Sequence, residues 1–125
     1  MDFWMVGLGG FVGALARYYA GQAAGRWLGA SFPYGTFLIN VSGSWFLGLI
    51  GTLALDHGSL LTPPMRLLLG VGFVGAFTTF STFMFESLQL VREGALGEAA
   101  LYLGGSVAVG LVAVWIGSLT ARLVP

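Results

Sequence analysis

Long apolar runs are the feature of this chain that most restricts its fold. Four stretches, at about residues 3–28, 36–55, 65–91 and 99–119, contain few charged side chains. About 20 apolar residues in a helix are enough to cross the hydrocarbon core of a bilayer. Only 8% of the sequence is charged and 57% is hydrophobic, whereas charged residues make up about a quarter of a soluble domain. The pattern predicts a single all-α integral membrane domain, residues 1–125, with four transmembrane helices.

The middle of the third run departs from a uniform apolar helix. It begins with Gly75 and then carries four hydroxyl side chains within five residues, at Thr78, Thr79, Ser81 and Thr82. Hydroxyl side chains of this kind bond back to the backbone and compete with the helical ladder. Irregular backbone at bilayer depth persists only where protein or a water-filled cavity covers it. The sequence therefore predicts a broken third helix that lines a cavity or pathway.

Isolated polar side chains occur in the other runs as well. Asn40 lies one helical turn after Thr36, and Ser106 lies one turn after Tyr102, so each pair shares a helix face. A polar group in hydrocarbon needs a partner, which either a neighbouring helix or an ion pathway provides. Arg17 either extends to the headgroups or lines a polar vestibule. Both readings remain open from these residues alone.

Small residues four positions apart recur in the first two runs. On a membrane helix this spacing puts them on one face and lets a neighbouring helix approach closely. The pattern predicts close helix packing at three sets of positions: Gly9 and Gly13; Gly21, Gly25 and Gly29; Ser44 and Gly48.

The arginines give little instruction about orientation in the membrane. Four spans with short loops put Arg26 and Arg92 on one side, and Arg66 and Arg122 on the other, a count of two against two, or three against two if Arg17 reaches the first side. Orientation is set by an excess of positive charge on the cytoplasmic side. The balance predicts insertion in both orientations and pairing as an antiparallel dimer.

Several classes of function are not favoured by the composition. The formal net charge is zero and lysine is absent, so no nucleic-acid partner is predicted. Cysteine is also absent, and His57 is the single histidine, in a connection beside Asp56. Without a nucleophile–base pair or a metal-ligand cluster, an enzyme is not expected.

Three motifs follow one another along the chain. They are Gly9-Gly10-x-x-Gly13-Ala14-x-x-Arg17-Tyr18, Gly35-Thr36-x-x-x-Asn40-x-x-Gly43 and Gly75-x-x-Thr78-Thr79-Phe80-Ser81-Thr82-Phe83. Together they resemble the Fluc/CrcB family of fluoride channels across the whole chain. The resemblance implies a fluoride-selective ion channel that passively exports cytoplasmic fluoride and so lowers its toxicity. It also implies an antiparallel, dual-topology homodimer with two pores at its interface, in the cell (inner or plasma) membrane.

The resemblance also implies roles for individual residues. Backbone carbonyls of Gly75 and Thr78 would hold a central structural sodium ion, and Arg17 would lie near an aqueous vestibule. Glu86 matches an acidic position of the family, whereas Gly110 stands where members often carry a hydroxyl. The fluoride pore would be lined by Asn40, Phe80, Phe83, Thr79, Ser81, Thr82, Thr36, Tyr102 and Ser106.

The residues themselves are compatible with this function. Aromatic rings have a positive edge, so Phe80 and Phe83 could face an anion that amide and hydroxyl donors also hold. The residues alone leave two alternatives open. A small proton-coupled multidrug exporter would need a carboxylate deep in the membrane, and Glu86 lies towards the end of its run. A membrane scaffold would use its polar residues only to join helices.

Overall fold

The chain forms helices and no strands in a computed structural model that describes all 125 residues. Helices α1 (Asp2–Leu28) and α2 (Tyr34–Asp56) are followed by α3, residues 63–77. Helices α4 (Ser81–Arg92) and α5 (Leu96–Ala121) complete the fold. The all-α prediction is confirmed.

Three helical segments are long and apolar enough to cross a membrane. They are Tyr34–Asp56, Pro63–Arg92 and Leu96–Ala121. Helix α1 has sufficient length, at 27 residues, but it is less apolar because Arg17, Gln22 and Arg26 interrupt it. The molecule therefore has four long helical segments, of which three have the full character of membrane spans.

The third segment is interrupted where the hydroxyl-rich stretch begins. Residues Leu67–Val74 form wide π-helical turns, and ordinary α-helix resumes only for Gly75–Phe77. Thr78 is then extended, with φ −78° and ψ 159°, and the helix does not restart until Ser81. The predicted break in the third helix is confirmed, at residues 78–80.

Glycines of α1 allow its backbone to touch that of α3. A Cβ at Gly9 would collide with the carbonyl oxygen of Leu68, and one at Gly13 with the carbonyl oxygen of Phe73. Gly72 returns the contact, because a Cβ there would lie 2.8 Å from the Val6 carbonyl oxygen. The first predicted set of small residues therefore does form a close helix–helix contact.

The second set of glycines behaves differently. A Cβ added at Gly35 would lie 3.4 Å from the Gly21 Cα, so α2 begins close to Gly21. A Cβ added at Gly25 or Gly29 would meet no atom within 4 Å. These two glycines make no close contact between helices of this chain.

Helices α2 and α5 run parallel with a constant register. The Thr52 hydroxyl donates to Ser118 Oγ at 2.8 Å, a pair separated by 66 positions. The same separation recurs where Gly48 packs on the Val114 carbonyl and where Arg122 Nε lies 3.9 Å from Asp56 Oδ2. Since parallel helices of one chain require an intervening span, this register agrees with successive antiparallel segments.

The two ends of the bundle carry similar positive charge. Arg66 donates to the carbonyls of Leu61 and Gly58 at 3.0 and 3.1 Å, next to the end of α2 where Arg122 lies. Arg26 lines a cleft at the other end together with Glu93, which follows Arg92. The predicted placement of these four arginines agrees with the helix directions, and Arg17, which lines the same cleft as Arg26, adds a third arginine at that end.

Candidate functional site

Asn40 holds the break in the third segment. Its Nδ2 donates to the Thr79 carbonyl oxygen at 2.9 Å, and its Oδ1 accepts from the Thr79 amide at 2.8 Å. A side chain from α2 thus replaces the two backbone bonds that an unbroken helix would have given Thr79. One N–H of the Asn40 amide is left over, because this group carries two donors.

Gly43 creates the space in which the break sits. A Cβ at Gly43 would collide with the Thr78 Cγ2 atom, so no larger residue fits there without moving the extended segment. Gly43 follows Asn40 by three positions and therefore lies on the same face of α2. The same face of α2 therefore holds the broken segment through the Asn40 side chain and accommodates the Thr78 side chain at Gly43.

The break leaves carbonyl oxygens without their helical partners. The Thr79 amide donates to Asn40 rather than to Gly75, and the Thr82 amide donates to the Thr79 hydroxyl, at 3.3 Å, rather than to Thr78. Neither the Gly75 nor the Thr78 carbonyl accepts a bond from the turn that follows it. Oxygen atoms freed in this way are suitable ligands for a hard cation.

Glu86 connects three helical segments at one end of the break. The Thr36 hydroxyl donates to its Oε1 at 2.9 Å, and the Tyr102 hydroxyl donates to its Oε2 at 2.7 Å. Thr36 and Tyr102 are both buried. The predicted polar faces of α2 and α5 therefore do meet, and they meet on Glu86.

Three aromatic rings follow one another beside the break. The Phe80 and Phe83 ring centroids are 6.3 Å apart at 72°, and the Phe83 and Tyr102 centroids are 4.9 Å apart at 86°. Both pairs are edge-to-face, so in each pair the partly positive edge of one ring lies against the face of the other. Phe83 is 7% exposed within the chain, whereas Phe80 is 73% exposed.

Two cavities have Thr79, at the break, in their linings. An open cleft of about 830 Å³ includes Arg17, Thr36, Thr82 and Glu86 among its lining residues. A smaller cavity has a volume of about 250 Å³. The smaller one is lined by Asn40, Gly43, Ser44, Leu47, Val74, Thr78, Thr79, Phe80 and Phe83.

Not every predicted donor is free to meet an ion. The hydroxyl hydrogens of Thr36 and Tyr102 are directed to Glu86, and that of Thr79 to Thr82 Oγ1 at 3.1 Å. Ser106 Oγ is buried and has no hydrogen-bond partner. Ser81 is exposed and its hydroxyl forms no hydrogen bond within the chain.

The predicted site residues thus fall into connected groups. Asn40, Thr78 and Thr79 form the break, the rings of Phe80 and Phe83 lie beside it, and Arg17 reaches the cleft. The sequence indicated an acidic position at Glu86 but not its role as the acceptor for two helices. That role depends on partners 50 and 16 positions away, for which a single sequence carries no signal.

Comparison with known proteins gives consistent matches along the chain. The profile of a family described as "CrcB-like protein, Camphor Resistance (CrcB)" matches residues 4–118. A protein of Acidobacterium capsulatum named "Fluoride-specific ion channel FluC" is 50% identical over 117 residues, covering 94% of this chain and 93% of that protein.

Two further relatives carry the same name. The protein of Synechocystis sp. is 50% identical over 115 residues, covering 92% of this chain and 88% of its own length. That of Chlorobaculum tepidum is 47% identical over 119 residues, covering 95% and 93%. The similarity extends over all the helices and over the break between them.

Proposed function

This chain belongs to the CrcB-like family, a family of ion channels rather than enzymes, and we propose that it is a fluoride-selective channel that exports cytoplasmic fluoride passively. It is a multi-pass membrane protein. The observation that carries the proposal is the pair of cavities that share Thr79 in their linings. Their lining combines aromatic edges and hydroxyl donors beside a clamped break, in a chain whose relatives are named fluoride-specific channels.

The lining suits a small, strongly hydrated anion. A pore must replace the hydration shell of the ion while binding it weakly enough to release it. Ring edges of Phe80 and Phe83 offer diffuse positive charge, and the hydroxyls of Ser81, Thr82 and Ser106 have hydrogens not given to another group of the chain. No arginine or lysine lies in the smaller cavity to trap the anion.

A sodium ion fits the freed carbonyls of the break. The Gly75 and Thr78 oxygens would hold it, since neither accepts a bond from the following turn. Two oxygens are too few for a complete coordination shell, so a second copy of the chain would supply the remainder. The fixed positive charge would offset part of the cost of bringing an anion into the membrane.

We further infer that the working unit is an antiparallel homodimer in the cell (inner or plasma) membrane. Positive charge is nearly balanced between the ends of the bundle, with Arg17, Arg26 and Arg92 at one end and Arg66 and Arg122 at the other, which weakens the usual instruction for one orientation. Gly75 and Phe80 lie exposed on one chain, so the path is open on one side. A partner placed there would close two equivalent pores.

The proposal is tested with purified protein in liposomes loaded with fluoride. A fluoride-selective electrode is expected to record rapid efflux, and a chloride electrode on matched liposomes is expected to record none. Liposomes without protein serve as the control. Proton flux driven by a cationic drug would identify an exporter instead, and no flux of any kind would leave a scaffold role.

A further inference from the structure

Ser44 faces Gly110 across the α2–α5 contact. The register that pairs Thr52 with Ser118 places residue 44 opposite residue 110. Consistent with this, a Cβ added at Gly110 would lie 3.8 Å from Ser44 Oγ, its nearest neighbour. At this level of the helix pair, Ser44 on α2 supplies a hydroxyl, and Gly110 on α5 has no side chain.

The same register creates a row of polar groups along the two helices. Thr36 and Tyr102 meet on Glu86 at the first step. Asn40 and the partnerless Ser106 occupy the next step, one turn along. Ser44 follows after another turn, so the row continues past the break into the smaller cavity, whose lining includes Ser44.

The Ser44 hydroxyl is uncommitted. It takes part in none of the side-chain hydrogen bonds of the chain. Serine and threonine in membrane helices commonly bond back to a carbonyl of the preceding turn. Ser42 does so with Ile39 at 3.1 Å, and Ser87 with Phe83 at 2.7 Å. Ser44 keeps its hydrogen available in the cavity.

From this geometry we propose that Ser44 donates a hydrogen bond to the anion as it passes Phe80 and Phe83. The inference rests on the proposed channel function and adds a residue to its path. A half-buried hydroxyl in the cavity that Phe80 and Phe83 also line, with no partner of its own, is a donor that an anion can use without breaking another bond. The sequence pattern had placed Ser44 only among the small residues of a packing face.

The test measures fluoride efflux from liposomes for a set of matched variants. Ser44→Ala is expected to lower the flux about tenfold, the loss expected when one hydrogen bond to a charged group is removed. Ser42→Ala is the control, because it removes a hydroxyl two residues away that is already bonded to its own helix. That control is expected to keep the wild-type flux.

Moving the hydroxyl from position 44 to position 110 distinguishes a role in hydrogen-bond donation from a role in packing. In Ser44→Ala with Gly110→Ser, the hydroxyl is offered from the opposite helix, where a Cβ meets only ordinary contact. Flux is expected to return to within about twofold of wild type, a difference of under 0.5 kcal/mol. Elution as a folded species in size-exclusion chromatography confirms that each variant is intact.

The outcomes are distinct. Wild-type flux in Ser44→Ala would overturn the inference and leave the channel proposal standing. A loss that the swap does not repair would also overturn it, because it would mean that Ser44 acts through packing. A silent wild-type protein would instead overturn the proposed function itself.

Discussion

Asn40 performs a structural task that its sequence position did not reveal. The sequence indicated a polar partner or a pathway, and the partner is the Thr79 backbone, 39 positions away. A local pattern predicts that an amide in hydrocarbon needs a partner, but not which one. The hydroxyl-rich stretch, by contrast, predicted its own break, because the competing bonds are local, as with Thr78 Oγ1 to the Val74 carbonyl at 2.9 Å.

Removing the amide of Asn40 should weaken both the fold and the flux. Asn40→Ala leaves the Thr79 amide and carbonyl unpaired, which is expected to cost about 2–4 kcal/mol of stability from two lost bonds. Thermal unfolding in detergent measures the first effect and liposome efflux the second. Ser81→Ala is the control for unfolding, since the Ser81 hydroxyl bonds to nothing in the chain. Equal unfolding temperatures for Asn40→Ala and wild type would contradict the clamp.

Substitutions of the two phenylalanines should distinguish an effect on packing from an effect on fluoride flux. Phe80→Ile is expected to cut fluoride flux severely with little change in the stability of the chain, because the ring is 73% exposed. Phe83→Ile is expected to cut flux and also to lower the unfolding temperature, because it loses a buried edge contact with Tyr102, worth about 1 kcal/mol beyond its area. Both variants should still elute in size-exclusion chromatography at the volume of the wild type, as the proposed dimer would. Unchanged flux in both would remove the aromatic-edge argument.

At the scale of helices, the spacing of small residues correctly predicted a close helix–helix contact only where another backbone lay nearby. Gly9 and Gly13 touch α3, whereas Gly25 and Gly29 meet nothing in this chain. Spacing alone cannot separate these cases, since both sets repeat every four residues. The sequence also did not predict the π-helical turns of Leu67–Val74, because a change in the hydrogen-bond register of a helix has no side-chain signature of its own.

The contact between α1 and α3 provides a matched pair of substitutions. Gly9→Ala is expected to lower the unfolding temperature, because its Cβ would collide with the Leu68 carbonyl. Gly7→Ala lies in the same helix with open space around it, and alanine favours the helix over glycine, so its unfolding temperature should be equal or higher. Similar losses in both variants would show that the Gly9 contact does not hold α1 in place.

At the scale of the whole molecule, the balance of charge between the ends of the bundle is the feature to disturb. Gly29 and Gly94 are poor sites for this, since their φ angles are +83° and +78°, which side chains rarely adopt. Leu28→Lys with Gly97→Lys adds two charges at the Arg26 end, and Leu60→Lys with Leu123→Lys adds two at the Arg66 end. Leu28, Leu60 and Leu123 are exposed, and Gly97 has open space.

Each of these biased variants is expected to orient one way and to lose activity when expressed alone. Expressed together they should restore fluoride resistance in a sensitive cell, because opposite orientations can then pair. The balanced variant, Leu28→Lys with Leu123→Lys, adds the same charge without bias and should remain active alone. Full activity from either biased variant alone would argue against the antiparallel dimer.

The side-chain clamp on Thr79 has one more consequence. Its two hydrogen bonds are made within the chain, so this segment of the proposed pore is held in place before any ion arrives. A channel built in this way needs no conformational change between the passage of one ion and the next. Its throughput should therefore rise with warming about as gently as the mobility of salt in water, and not with the steep acceleration of a carrier that must rearrange on every cycle.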